Sequence, residues 1–115
     1  MTGHPEPLQE SIKRLQAYAE AGADVLYAPG LPNAESIRAI VQAVAPKPVN
    51  ALIHANIGLK VDDLAELGVR RISVGSALAR AAWTGFIRAA TLIVEEGSFE
   101  GFEGAVPFAV LNSTF

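Results

Sequence analysis

Cysteine is absent from the 115 residues, which excludes disulfides and thiolate metal sites and is compatible with a reducing compartment. A surplus of one charge is missing too: the net charge is -3, acidic and basic residues are interspersed, and no basic stripe is available to hold a phosphate backbone. Nucleic acid is therefore not an expected partner. No run approaches the roughly 18 consecutive apolar residues of a membrane span, and Met1 to Pro7 lacks the basic-then-apolar order of a secretion signal. These absences predict no membrane partner and a cytoplasmic location. What the chain does hold is apolar material: 50% of its residues are hydrophobic, enough for one domain to bury a core.

Two stretches repeat one pattern. Ala19 to Gly30 and Ala65 to Gly75 each read as a helix end, a glycine stop, a short apolar strand and a glycine exit. The glycine stops, Gly22 and Gly68, lie 46 residues apart, which is two βα units of about 23 residues each. Around them, Leu8, Ile12, Leu15 and Ala19 recur at helical spacing and predict a helix from Pro7 to Ala21. A strand follows at Ala23 to Ala28, apolar apart from Asp24, as in a parallel sheet covered on both faces. Asn33 caps the next helix, whose buried stripe is Ile37, Ile40, Val41 and Val44, and Pro46 and Pro48 end it. Strands at Val49 to Ile53 and Arg71 to Val74 flank a short helix that begins near Asp62, carries Leu64 and Leu67, and stops at Gly68. Ser76 caps a long helix to Glu96, and Gly97 to Phe115 is read as an irregular, apolar tail.

The predicted fold class is α/β. Right-handed crossovers lay the three parallel strands side by side in chain order, with helices outside them. The compact, even spacing favours part of a TIM-type (β/α)8 barrel over a doubly wound sheet. Residues 1–115 form one partial barrel domain in this reading, with 97–115 as its C-terminal tail.

A family resemblance sharpens this. The run Arg14 to Leu31, the segment Lys47-Pro48-Val49-Asn50, the run Glu66 to Ala82 and the tail residues Ala105-Val106-Pro107-Phe108 and Leu111-Asn112 together resemble the C-terminal part of the isocitrate lyase and phosphoenolpyruvate mutase superfamily. The likeness covers nearly the whole chain. It implies a (β/α)8 barrel of which this chain holds strands six, seven and eight. It also implies C–C or P–C bond chemistry on a small 2-oxo-acid or its adduct, a carboxylate or phosphonate, through an enolate. Mg2+ is implied as the cofactor, held by acidic residues on earlier strands that are not in this sequence. The family's cysteine proton donor is not in it either. The resemblance further implies a homo-oligomer built through the last helix and tail. Where superfamily members carry glutamate or histidine at the mouth of strand six this chain has Pro29, which cannot ligate a metal or transfer a proton. The isolated chain is expected to be inactive, with no catalytic residue and no metal ligand of its own.

Barrel enzymes place their functional groups at the C-terminal strand ends, which selects Tyr27 to Gly30, Ile53 to Asn56 and Val74 to Ser76. Candidate substrate-binding residues are Tyr27, Gly30, Asn50, His54, Gly75 and Ser76. Asn50 either holds a substrate carboxylate or satisfies backbone groups in the barrel floor. Gly75-Ser76 offers backbone N–H groups to an anion, or Ser76 simply caps the helix. His54 is a general base or else a structural or solvated side chain, and His4 lies in a loop. Arg70-Arg71 precedes the last strand as a solvated or helix-pairing charge pair. Asp62-Asp63 reads as a helix-dipole partner, Glu95-Glu96 as surface charge, and Tyr18 and Trp83 as packing residues. Two other readings stay open: a non-catalytic module that self-associates through the last helix and tail, and a fragment of a phosphate-binding aldolase-type barrel.

Overall fold

A computed structural model describes residues 6 to 115. His4 and most of the loop read over Met1 to Pro7 lie outside the described residues, and Pro7 already opens the first helix. The chain divides into two compact units, one reaching to Ala77 and the other running from Leu78 to Phe115.

The first unit holds helices α1 (Pro7–Glu20), α2 (Ala34–Val44) and α3 (Val61–Glu66) and strands β1 (Leu26–Tyr27), β2 (Val49–Leu52) and β3 (Arg71–Ser73). The strands form one parallel sheet in the order β1-β2-β3, as the crossover rule requires. Local chemistry explains the helix ends. Proline at the first helical position of α1 gives up an N–H that has no partner there anyway. Asn33 Oδ1 accepts the Ser36 N–H at 2.9 Å and caps α2. In α3 the Asp63 carboxylate reaches back to the Lys60 N–H at 2.8 Å, half of a capping box. An i,i+4 pair, Glu10 and Arg14 at 2.7 Å, lies along α1, and the bond to Glu10 raises the Arg14 guanidinium above its ordinary pKa.

Both repeated segments close in the same way. Gly22 N–H donates to Ala19 O at 3.1 Å and Ala23 N–H to Tyr18 O at 3.0 Å; Gly68 N–H donates to Ala65 O and Val69 N–H to Leu64 O, each at 3.0 Å. This is a Schellman closure, and it needs the left-handed backbone that glycine adopts freely, here φ +106° at Gly22 and +97° at Gly68.

Two clusters fill the space between sheet and helices. Leu15, Leu26, Ala28, Ile40, Val44 and Val49 form the first; Ile37, Ala51, Leu64 and Val69 form the second. Burying each large side chain among them contributes roughly 1.5–3 kcal/mol. Helix α2 supplies residues to both, with Val41 and Leu31 packed against each. Gln16 Nε2 also bonds Ala43 O at 3.2 Å and ties α1 to α2. On β2, Val49 and Ala51 turn to the helices, so Asn50 faces the other way.

Strand β1 is shorter than the Ala23 to Ala28 predicted. Among the described residues it has a neighbour on one side only, where Leu26 N–H bonds Pro48 O at 2.9 Å.

The second unit contains almost all of α4 (Ala77–Glu96), a 3-10 turn at Glu100–Phe102 and α5 (Phe108–Thr114). The tail is thus helical in two places. Pro107 seats the start of α5, its carbonyl accepting the Val110 and Leu111 N–H groups. Gly101 lies so close to α4 that an added Cβ would sit 2.5 Å from Ala89 Cα. Among the described residues α4 is long and apolar enough to cross a membrane by length and composition, with a mean hydropathy of 1.3 and none of that stretch buried. Arg80 and Arg88 interrupt its apolar run.

Candidate functional site

Parallel pairing brings the C-terminal ends of β1, β2 and β3 to one edge of the sheet, and the segments that leave them carry most of the predicted residues. Tyr27 ends β1 and is half exposed. Gly30 follows with φ +77° and open space where a Cβ would lie. His54 is exposed just past β2, and the next loop is held by Asn56 Oδ1 accepting the Gly58 N–H at 2.9 Å. Gly75, φ +56°, turns the chain out of β3, and the turn closes with Ala77 N–H donating to Val74 O at 3.0 Å. Helix α4 begins immediately after Ser76, which therefore stands at the cap position. An added Cβ on Gly75 would touch Leu52 Cδ1 at 3.4 Å, so this turn rests on the side chain that ends β2.

Asn50 sits lower, as the second residue of β2. In register with Tyr27 on one side and Arg71 on the other, it belongs to a polar row across the sheet face turned away from the helices. It is 6% exposed, its Nδ2 donates to Ser73 Oγ at 2.9 Å, and its Oδ1 is buried without a partner. The side chain thus serves an internal group, a hydroxyl on the next strand rather than the backbone expected of a barrel-floor amide. Ser73 was not among the predicted residues, and only the β2–β3 register reveals it.

The arginine pair splits in two. Arg70 Nη1 donates to Ala65 O at 3.3 Å and Val69 O at 3.1 Å, pairing with the end of α3, whereas Arg71 lies within β3 opposite Asn50. The described residues contain no cluster of three or more histidine, aspartate or glutamate side chains able to hold a metal. Around the strand ends the groups are a phenol, an imidazole, an amide, a hydroxyl and Pro29, with no carboxylate. That donor set does not suit Mg2+, a hard cation that takes carboxylate oxygens.

The profile of phosphoenolpyruvate phosphomutase matches residues 1–94. This chain belongs to the phosphoenolpyruvate phosphomutase family. A crystal structure from Burkholderia cenocepacia J2315, described as a candidate lyase/mutase, is 50% identical with a TM-score of 0.85, over 92% of this chain and 38% of that one. The structure of 2,3-dimethylmalate lyase, a member of the same mutase and isocitrate lyase superfamily, is 25% identical with a TM-score of 0.70, over 90% of this chain and 38% of that chain. Among curated proteins, an uncharacterised protein of Mycobacterium tuberculosis is 34% identical over 103 residues. This phosphomutase-family chain spans 38% of that relative's length. Its three parallel strands and their helices are accordingly a C-terminal part of the family's TIM-type barrel.

Proposed function

We propose that this chain is the C-terminal part of a Mg2+-dependent, lyase- or mutase-like enzyme of the cytoplasm, acting on a small 2-oxo-acid or its adduct through an enolate. One observation carries the reading: in a chain of this family, three parallel strands deliver Tyr27, Gly30, His54, Gly75 and Ser76 to one edge. Such an edge is where barrel enzymes bind their substrates. The dimethylmalate lyase named above supports the substrate class, since a malate-type acid is the adduct of a 2-oxo-acid and a second carboxylic acid.

In this reading the chain supplies part of the substrate cup. The backbone at Gly75-Ser76 opens a 20-residue helix whose N-terminal end carries partial positive charge, suited to a carboxylate or phosphonate oxygen. His54 and Tyr27 offer groups that can hold or donate a proton at the mouth, and Pro29 contributes none. Any Mg2+ is held by residues outside this chain, which is inactive by itself.

The test is a chimera in which the region preceding the matched part of the Burkholderia protein is fused ahead of this chain. With Mg2+ and a panel of 2-oxo-acids, malate-type acids and phosphonates, the fusion should turn over at least one substrate while the 115-residue chain alone turns over none. A folded fusion that is inactive on the whole panel overturns the proposal.

A second reading has its own support in the C-terminal unit, where Leu78, Trp83, Phe86, Ile87 and Phe108 are all more than half exposed. Here the last helix and tail serve self-association, whether or not the assembly is catalytic.

A further inference from the structure

Helix α4 carries apolar residues on two sides. On one of them the turn at Gly101 comes back against Ala89, and Leu92 and Ile93, one helical turn on from Ala89, are partly buried. About a third of the way round the helix, Trp83, Ile87, Ala90 and Val94 form a second stripe, spaced by four, three and four residues. That is the 3.5-residue period of a seam along which two helices pack. Trp83 is 60%, Ile87 59% and Val94 84% exposed. A hollow of about 230 Å³, lined by Ala90, Thr91, Val94 and Glu95, lies at the C-terminal end of the stripe.

Intervals of four, three and four read the same in either direction. A second α4 running antiparallel therefore falls into register, with Trp83 opposite Val94 and Ile87 opposite Ala90. Large side chains then face small ones, as interdigitating layers require, and each indole meets the hollow beside the other copy's Val94. A parallel pair sets Trp83 on Trp83 and Ala90 on Ala90, a collision next to a gap. Charge selects the same direction. Three residues before Trp83 the stripe continues in Arg80, which the antiparallel register brings opposite Gly97 of the second copy. There it meets Glu95 and Glu96 and the negative end of the other helix's dipole. A parallel pair places Arg80 on Arg80 instead.

We propose that the Trp83, Ile87, Ala90 and Val94 stripe is a docking surface for α4 of a second copy of this chain, antiparallel and related by a two-fold axis between Ile87 and Ala90. The inference rests on the self-association reading above and adds the partner element, its direction and its register. The contact is isologous, so it closes at two copies, and Arg80 guards each end of the seam.

The chain has no cysteine, so a single introduced one carries a spin label at a chosen site. In the associated 115-residue chain, labels at Ala79→Cys should lie about 30 Å apart and labels at Arg88→Cys, near the axis, less than about 20 Å apart. Arg80→Glu should weaken association about tenfold, because it sets like charges together at both ends. Adding Glu95→Arg and Glu96→Arg to Arg80→Glu should recover most of that loss, which a damaged helix would not do. A chain that stays monomeric in light scattering rejects self-association and this pairing together. Association with the Ala79→Cys labels about 10 Å apart, as in a parallel pair, with any other pair of distances, or without rescue by the charge exchange rejects the pairing alone.

Discussion

Ser73 and Asn50 join neighbouring strands through a single hydrogen bond of 2.9 Å, next to a buried amide oxygen that has no donor. Removing the hydroxyl strands the rest of the amide, and an unsatisfied buried polar group costs about 1–3 kcal/mol. Ser73→Ala should therefore lower stability by that amount in urea unfolding. Asn50→Leu combined with Ser73→Ala removes both partners and should recover most of the loss; a double variant no better than the single one contradicts the pairing. At this scale the sequence was informative where residue type sufficed. Asn50 stands out as the one amide in an apolar strand, and Tyr27, His54, Gly75 and Ser76 follow from strand-end position. Ser73 does not stand out, because its role arises only when Leu52 and Ser73 are placed in register. Arg71 was read as the first residue of its strand, and β3 does begin there; its place opposite Asn50 follows only from the same register.

The elements were legible wherever a local signal set their limits. Glycine stops, the Asn33 cap and the prolines after Val44 place α1, α2 and α3 to within a residue or two of the predicted bounds. Strand β1 was less legible, since strand length depends on which neighbour is present, and α5 was missed because Asn112, Ser113 and Thr114 are weak helix formers. The repeated closure supplies a test. Alanine at Gly22 meets open space and should cost only the left-handed backbone penalty, about 1–2 kcal/mol. At Gly68 the added methyl would lie 2.6 Å from Val41 Cγ1, on top of a similar penalty. Overpacking of this kind adds about 1–3 kcal/mol, so Gly68→Ala should melt well below Gly22→Ala in thermal unfolding followed by circular dichroism. Equal melting temperatures would show that α2 yields at Val41.

For the whole molecule, the least settled surface belongs to the C-terminal unit. None of α4 is buried, Trp83 and Phe86 pack edge to face at 5.3 Å, and the tail adds Phe99, Phe102, Phe108 and Phe115, all more than half exposed. Apolar surface of that extent favours association. Light scattering on the chain should give a mass above the monomer that falls when Trp83 and Phe86 are both replaced by serine. A monomeric starting chain would count against self-association through this unit.

Helix α2 gives the first unit a property that neither cluster has alone. Ile40 and Val44 belong to one cluster, Ile37 to the other, and Val41 touches both, so α2 cannot leave its seat without opening both at once. Local fluctuations that would free α1 or α3 separately are thereby coupled, and the unit should open as one cooperative block rather than unravel helix by helix.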